Sequence, residues 1–323
     1  MRRLILLAAS LLLLALPAAA GARPSVVPHA PQPACGFLAG APVAVSHVVV
    51  IVMENHSYPD LIGRRGSAVA RRAPYINGLK RACGLATNYH SLTHPSLPNY
   101  IAMVAGSNGG ITTDCTSCTS RAPNLFRRLG STGGTWRVYA ESMPTRCSHT
   151  NTLHYLKRHN PATYFPAIRN ACDRWDVPMG GASGRFATAL ARNTLPGYAM
   201  VVPNPCDDMH DCSVSTGDAW LAKWVPRILR SGDYRAGRTV VFIVWDEGEG
   251  GGYVSGEDCL AHLTDQSCHV PALVLSGYTP AGARSSTRAS HLSLLRTTQT
   301  LLGATPYLGA AGRVHGMGHA FGL

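Results

Sequence analysis

The most constraining feature of this chain is His47-Val-Val-Val-Ile-Val-Met53, an apolar, β-branched run with no polar alternation. A strand with one face in water alternates; an unbroken run suits a strand covered on both faces, inside a parallel sheet. The run ends abruptly in Glu54-Asn55-His56-Ser57. A second such run, 240–245, ends in Asp246-Glu247. Trp136–Ala140, Tyr198–Val202 and 270–275 are further strand candidates. Helical spacing falls at 74–83, 124–129, 185–192, 217–231 (with a kink near Pro226) and 289–302. Strands alternating with helices predict an α/β fold with a doubly wound, mostly parallel central sheet and helices on both faces. No repeat or interdomain linker divides residues 45–323, so one domain is expected there. Long loops at 107–123 and 141–184 would form its rim.

The N-terminus reads differently. Arg2-Arg3, an apolar block from Leu4 to Leu16 and the small residues up to Ala22 have the pattern of a secretory signal peptide over residues 1–22. The block is shorter than the roughly 20 residues a membrane span needs. Residues 23–44, with Pro24, Pro28, Pro31 and Pro33, read as an irregular leader. The expected location is therefore outside the cell or in its envelope. Ten cysteines in an exported chain imply disulfides, with Cys206/Cys212 and Cys259/Cys268 as local staples. Cys115-x-x-Cys118 has no matching second pair, so a disulfide fits it better than half a zinc site. The net charge of +12 becomes +10 once Arg2 and Arg3 leave. That favours anionic substrates or peripheral contact with an anionic membrane. The basic residues are scattered, so no specific nucleic acid is expected, and no obligate protein partner is implied.

Parallel strands bring their carboxyl ends to one sheet edge, where ligands of open α/β sheets bind. Glu54-Asn55, Glu141, the 203–211 loop and Asp246-Glu247 would meet there. Clustered carboxylates repel one another unless a cation neutralises them. Thr93-His-Pro-Ser-Leu-Pro-Asn-Tyr100 leads into an apolar helical run, with Ser96 as the expected N-cap and Pro98 in the first turn. Free N–H groups and the helix dipole there suit a phosphate. His210 and His291 are the preferred candidates for metal binding or for protonating a leaving group, ahead of His94 and His159. His291 is also a candidate cap for the last helix. Lys157 and Asn160 are candidate phosphate contacts, as are Asn99, His94 and His159. Gly248-Glu249-Gly250-Gly251-Gly252 is a permissive turn and not a P-loop, since no Gly-Lys-Ser/Thr follows. Asn55-His56-Ser57 matches a glycosylation pattern, read as accidental beside Glu54.

Val52-Met-Glu-Asn-His-Ser57, the 93–100 motif, Asn204-Pro-Cys-Asp-Asp-Met-His-Asp211, Gly217-Asp-Ala-Trp-Leu221 and Val244-Trp-Asp-Glu-Gly-Glu-Gly250 stand in this order along the chain. In that order they resemble a bacterial phosphoesterase family of the alkaline phosphatase superfamily, which includes secreted acid phosphatases and phospholipases C. His291-Leu-Ser-Leu-Leu-Arg-Thr297 resembles its closing helix. The resemblance covers roughly 46–305, and the compact size is most like secreted acid phosphatases, including those acting on phosphatidylinositol 3-phosphate. It implies Ser96 as a nucleophile forming phosphoserine. It also implies a divalent metal held by Glu54, Asn55, Ser96, Asp246 and Glu247, with Asn204, Asp208 and His210 near the site, the first two as candidate phosphate or substrate contacts. Glu54-Asn55 replaces the superfamily's usual first Asp, and Asp246-Glu247 replaces an Asp-His pair. Metal identity and number are thereby left open between calcium, zinc and another divalent ion.

The expected activity is hydrolysis of phosphate monoesters on a small molecule or lipid, phosphoinositides included. A phospholipase C-type phosphodiesterase is the alternative, with Lys157, His159 and Asn160 leaning towards monoesters. A non-catalytic secreted protein binding metal or phosphate is the second alternative.

Overall fold

In the computed structural model, residues 33–40, 42–250, 252 and 254–323 are described. The expected signal peptide and the leader up to Gln32 lie outside them. Strands β1 (His47–Met53), β2 (Gly84–Ala86), β3 (Tyr89–His90), β4 (Trp136–Ala140), β5 (Asp176–Pro178), β6 (Tyr198–Val202), β7 (Thr239–Trp245), β8 (Ala272–Leu275), β9 (Arg284–Ser285) and β10 (Ala289–Ser290) alternate with helices. The helices are α1 (Tyr58–Leu61), α2 (Ala68–Arg72), α3 (Pro74–Ala82), α4 (Ser96–Ala105), α5 (Leu125–Ser131), α6 (Arg169–Trp175), α7 (Arg185–Ala191), α8 (Val214–Leu229), α9 (Gly232–Arg235) and α10 (His291–Leu301). Eight strands form the main sheet in the order β5-β4-β6-β1-β7-β8-β2-β9, while β3 and β10 make a separate pair.

From β5 to β7 every pairing is parallel. All residues of β6 and β7 are buried, so both faces of the sheet are covered, as the unalternating runs required. The strand expected at 270–275 starts at Ala272 and runs antiparallel to β7. Pro271, with no N–H to give a ladder, accounts for the late start. Register sets which acids meet at the sheet edge. Met53 pairs with Trp245, so Glu54-Asn55 and Asp246-Glu247 leave adjacent strands side by side.

Two capping expectations are corrected. Ser96 is the first helical residue of α4, not its N-cap; Pro95 holds that position and no side chain of its own caps the helix. Asp114 does so instead, its Oδ1 accepting from Leu97 N at 2.9 Å. The α10 cap is Ser290, whose Oγ accepts from Leu292 N, and not His291. Helix α8 starts at Val214, earlier than expected, because Ser213 caps it. Gly106 ends α4 at φ 72°, and a Cβ there would lie 2.2 Å from Leu308 O, so only glycine fits.

All ten cysteines pair: Cys35–Cys83, Cys115–Cys118, Cys147–Cys172, Cys206–Cys212 and Cys259–Cys268. Residues 33–40 carry no helix or strand but are pinned by the first of these and by Leu38 N to Gly277 O, 2.9 Å. Among the described residues no helix is long and apolar enough to cross a membrane.

Candidate active site

Helix α4 is buried along its whole length, and α10 packs against it. Because Ser96 does not cap the helix, its hydroxyl is available to the sheet edge. Oγ lies 3.2 Å from Glu54 Oε2 and 3.3 Å from Glu247 Oε1. Tyr100, one turn along α4, donates its hydroxyl to Glu54 Oε1. Gly248 comes directly after Glu247, and a Cβ there would lie 2.4 Å from Ser57 Oγ, so the turn is held tight against the end of β1.

Four carboxylates are buried around this serine: Glu54, Asp208, Asp246 and Glu247. Each has its pKa raised well above the ordinary carboxylate range. For Glu54 the cause is burial, then the charges of Asp246 and Asp208. For Asp246 it is burial and then Glu247, and for Glu247 burial and then Asp114. Asp208 is raised by burial above all. Among the described residues their ion-pair partners are His94 and His159, with no Lys or Arg in salt-bridge contact. Such crowding is costly without a compensating cation.

The donor set fits one. Asn55 Oδ1 and Asp246 Oδ2 are buried with no hydrogen-bond partner, and Asn55 stands at φ 42°. Ser96 Oγ lies between the Glu54 and Glu247 carboxylates, and Asn55 N lies 3.4 Å from Asp246 Oδ1, so the oxygen donors a hard divalent ion takes stand at one sheet edge. Ligand atoms of Glu54, His159 and His210 also lie within 4.8 Å of one another, an arrangement that suits a transition metal equally.

The histidines divide by what their ring nitrogens touch. His291 Nε2 lies 2.6 Å from Asp246 O, which can only accept, so Nε2 carries the proton. Nδ1 then accepts from Tyr89 OH at 2.8 Å. Burial lowers the His291 pKa to about 4. With both nitrogens engaged, it steadies the Asp246 backbone and cannot serve as the leaving-group acid expected from sequence. His94 bridges Glu247 Oε2 (2.7 Å) and Ser267 Oγ (3.1 Å), so it supports a carboxylate. His159, stacked on Tyr100, lies 3.4 Å from both Glu54 Oε1 and Asp208 Oδ2. His210 is partly exposed; Nδ1 meets Asp211 Oδ1 at 2.6 Å, and Nε2 accepts from Arg158 at 3.1 Å.

Four expected phosphate contacts are turned elsewhere. Lys157 donates to Thr116 O and lies over the Tyr164 ring, because its buried ammonium needs partners. Asn160 donates to Asp176 Oδ2 (2.8 Å) and Tyr155 OH (3.1 Å). Asn99 clamps its own loop, accepting from Leu92 N and donating to Thr93 O. Asn204 Oδ1 takes the N–H groups of Cys206 and Asp207, each at 3.0 Å, closing an Asx turn. Glu141 also stands apart: it accepts from Trp220 Nε1 and Asn204 N, and burial followed by Asp207 pushes its pKa up to about 7.

Three residues escaped the sequence reading. Tyr100 holds Glu54, Asp114 caps α4, and Arg158 connects Asp114 to His210. The only hint of Arg158 was its place between Lys157 and His159. A groove of about 860 Å³ between α5 and α6 shares no residue with this cluster.

The pattern defining the phosphoesterase family matches residues 66–303. Phosphatidylinositol-3-phosphatase of Mycobacterium tuberculosis is 31% identical over 223 residues, 68% of this chain and 69% of that protein. An acid phosphatase of Aspergillus fumigatus is 27% identical over 172 residues, 50% of this chain but only 38% of the fungal protein. Among solved structures, a Vibrio parahaemolyticus protein of the alkaline phosphatase superfamily superimposes with a TM-score of 0.56 at 12% identity, covering 84% of this chain and 69% of the other.

Proposed function

The chain belongs to the phosphoesterase family, and from that premise we propose that it is a metal-dependent phosphomonoesterase with Ser96 as nucleophile. The observation that carries this reading is a helix-terminal serine, free of capping duty, directed at buried carboxylates beside the unpartnered Asn55 Oδ1 and Asp246 Oδ2. A divalent ion held by Glu54, Asn55, Ser96, Asp246 and Glu247 would neutralise their charge, lower the serine's pKa and screen the incoming phosphate.

The chain's own groups do the rest. Ser96 Oγ attacks phosphorus in line, and its proton passes to the Glu54 or Glu247 carboxylate at hydrogen-bond distance. The Oγ–P bond forms as the P–O bond to the alcohol breaks. His210, its ring oriented by Asp211, can assist the departing oxygen only when Arg158 releases its Nε2, which accepts from the guanidinium in the free protein. Water then cleaves the phosphoserine, releasing phosphate and restoring the hydroxyl. His291 and Tyr100 act as positioning residues, through Asp246 and Glu54.

We take phosphoinositides as the first natural substrates to test, since the M. tuberculosis relative carries that activity in its name. Export fits the five disulfides. The test compares p-nitrophenyl phosphate with bis-p-nitrophenyl phosphate, with chelator and with metal restored. Preferential monoester cleavage, lost on chelation and regained on metal addition, is the expected result. Preferential diester cleavage would support the phospholipase C alternative, and undiminished turnover under exhaustive chelation would remove the metal.

A further inference from the structure

Once ionised around one divalent ion, the four buried carboxylates would still outweigh its charge, so a phosphate dianion needs a cationic partner from the protein as well as a metal. The 3₁₀ turn at 157–159 offers two basic side chains. Lys157 is committed to Thr116 O and the Tyr164 ring. Arg158 is held more loosely. Its Nε is buried without a hydrogen-bond partner, 3.4 Å from Asp114 Oδ2, and its Nη2 donates to His210 Nε2 at 3.1 Å. Its charge is felt at Glu247, Asp208 and His159. Beside it, His159 Nε2 also lacks a hydrogen-bond partner on a side chain only 2% exposed.

Asp114 links these facts. One of its oxygens takes Leu97 N–H, the residue after Ser96, and the other faces the Arg158 guanidinium. A helix N–H and a guanidinium converging on one carboxylate are the donors that would converge on a phosphate. The carboxylate comes from the long 107–123 loop, is partly exposed, and is followed directly by the Cys115–Cys118 staple.

We propose that Arg158 is the specificity-determining residue for phosphate monoesters, and that Asp114 occupies the phosphate's place on Arg158 and Leu97 N–H until substrate displaces it. This inference rests on the phosphomonoesterase reading and names the group that prefers a doubly charged terminal phosphate. A diester carries one charge fewer and an ester group where the fork would bind, so it gains little from Arg158.

Two measurements on the full metal-loaded protein test it. Calorimetry with inorganic phosphate, which needs no turnover, is run on the parent, Arg158→Ala, Arg158→Lys and Asp114→Ala. The kcat/KM ratio for p-nitrophenyl phosphate over bis-p-nitrophenyl phosphate is measured alongside, with circular dichroism confirming the fold. Arg158→Ala should weaken phosphate binding and monoester kcat/KM by roughly 10- to 100-fold and lower diester kcat/KM by much less, so that the monoester-to-diester ratio falls about tenfold. Arg158→Lys should recover only part of the loss, and Asp114→Ala should tighten phosphate several-fold. An unchanged phosphate affinity and ester ratio in folded Arg158→Ala would overturn the proposal. Asp114→Ala weakening phosphate as much as Arg158→Ala would overturn the placeholder, making Asp114 a positioning residue. Arg158-dependent phosphate binding in a parent that cleaves neither ester would support this inference while refuting the catalytic reading.

Discussion

Replacing Ser96 with Ala is expected to lower p-nitrophenyl phosphate turnover by roughly 10⁴-fold or more while the protein stays folded. The size follows from chemistry: without Oγ no covalent phosphoenzyme can form, and the remaining donors can only bind the ester. The cost to the fold is small by comparison. The hydroxyl's two hydrogen bonds, at 3.2 and 3.3 Å, run to carboxylates that crowd one another in any case, so about 1 kcal/mol is at stake. The variant should melt within a few degrees of the parent. Near-parental turnover in a folded Ser96→Ala protein would remove the nucleophile and, with it, the proposed mechanism.

Asp246→Asn is expected to move activity and stability in opposite directions. Asp246 is fully buried, and its pKa is raised by burial and by Glu247. In the metal-free protein the folded state therefore holds protons that the unfolded chain has released. Such a raised carboxylate favours folding fully below the unfolded pKa, about 4. That contribution is lost as pH rises towards the folded value. Neutralising Asp246 removes part of the penalty, so the metal-free variant should melt roughly 2–6 °C higher than the metal-free parent at pH 7. The same substitution removes a charged donor beside Asn55 Oδ1, so turnover of the metal-loaded protein should fall by about 100-fold or more. Added divalent ion should then stabilise the parent more than the variant. A lower melting temperature for the metal-free variant would mean that the carboxylates are compensated within the chain.

How much of the fold and site is legible in the sequence depends on where each partner lies. Strands β4 and β6 have the bounds expected of their apolar runs, because burial marks every residue of β6 and all of β4 except Arg137. The two- and three-residue strands β2, β3, β5, β9 and β10 left no such trace; they exist because other segments pair with them. The juxtaposition of Glu54-Asn55 and Asp246-Glu247 followed from parallel strands alone. The role of Ser96 in α4 did not, because the cap comes from Asp114, in a loop 17 residues beyond the Leu97 N–H it accepts.

The turn at 157–159 shows the limit most clearly. At three residues per turn, consecutive side chains point in three directions. Lys157 goes to Thr116 O, Arg158 to Asp114 and His210, and His159 to Glu54 and Asp208. Residue type alone favoured Lys157 and Asn160 as phosphate contacts, yet buried polar groups are satisfied by whatever backbone or carboxylate lies nearest. Asn204 and Asn99 repeat the lesson, each closing its own loop.

The central claim, a covalent phosphoryl group on Ser96, is tested most directly by acid-quenching the metal-loaded protein during turnover of p-nitrophenyl phosphate and mapping its peptides by mass spectrometry. The account predicts a mass increase of one phosphoryl group, about 80 Da, on the peptide containing Ser96, formed and lost at rates that support turnover. An active enzyme with no phosphorylated peptide at any quench time, together with inversion at a chiral phosphorus in place of retention, would mean direct attack by water and would contradict the account.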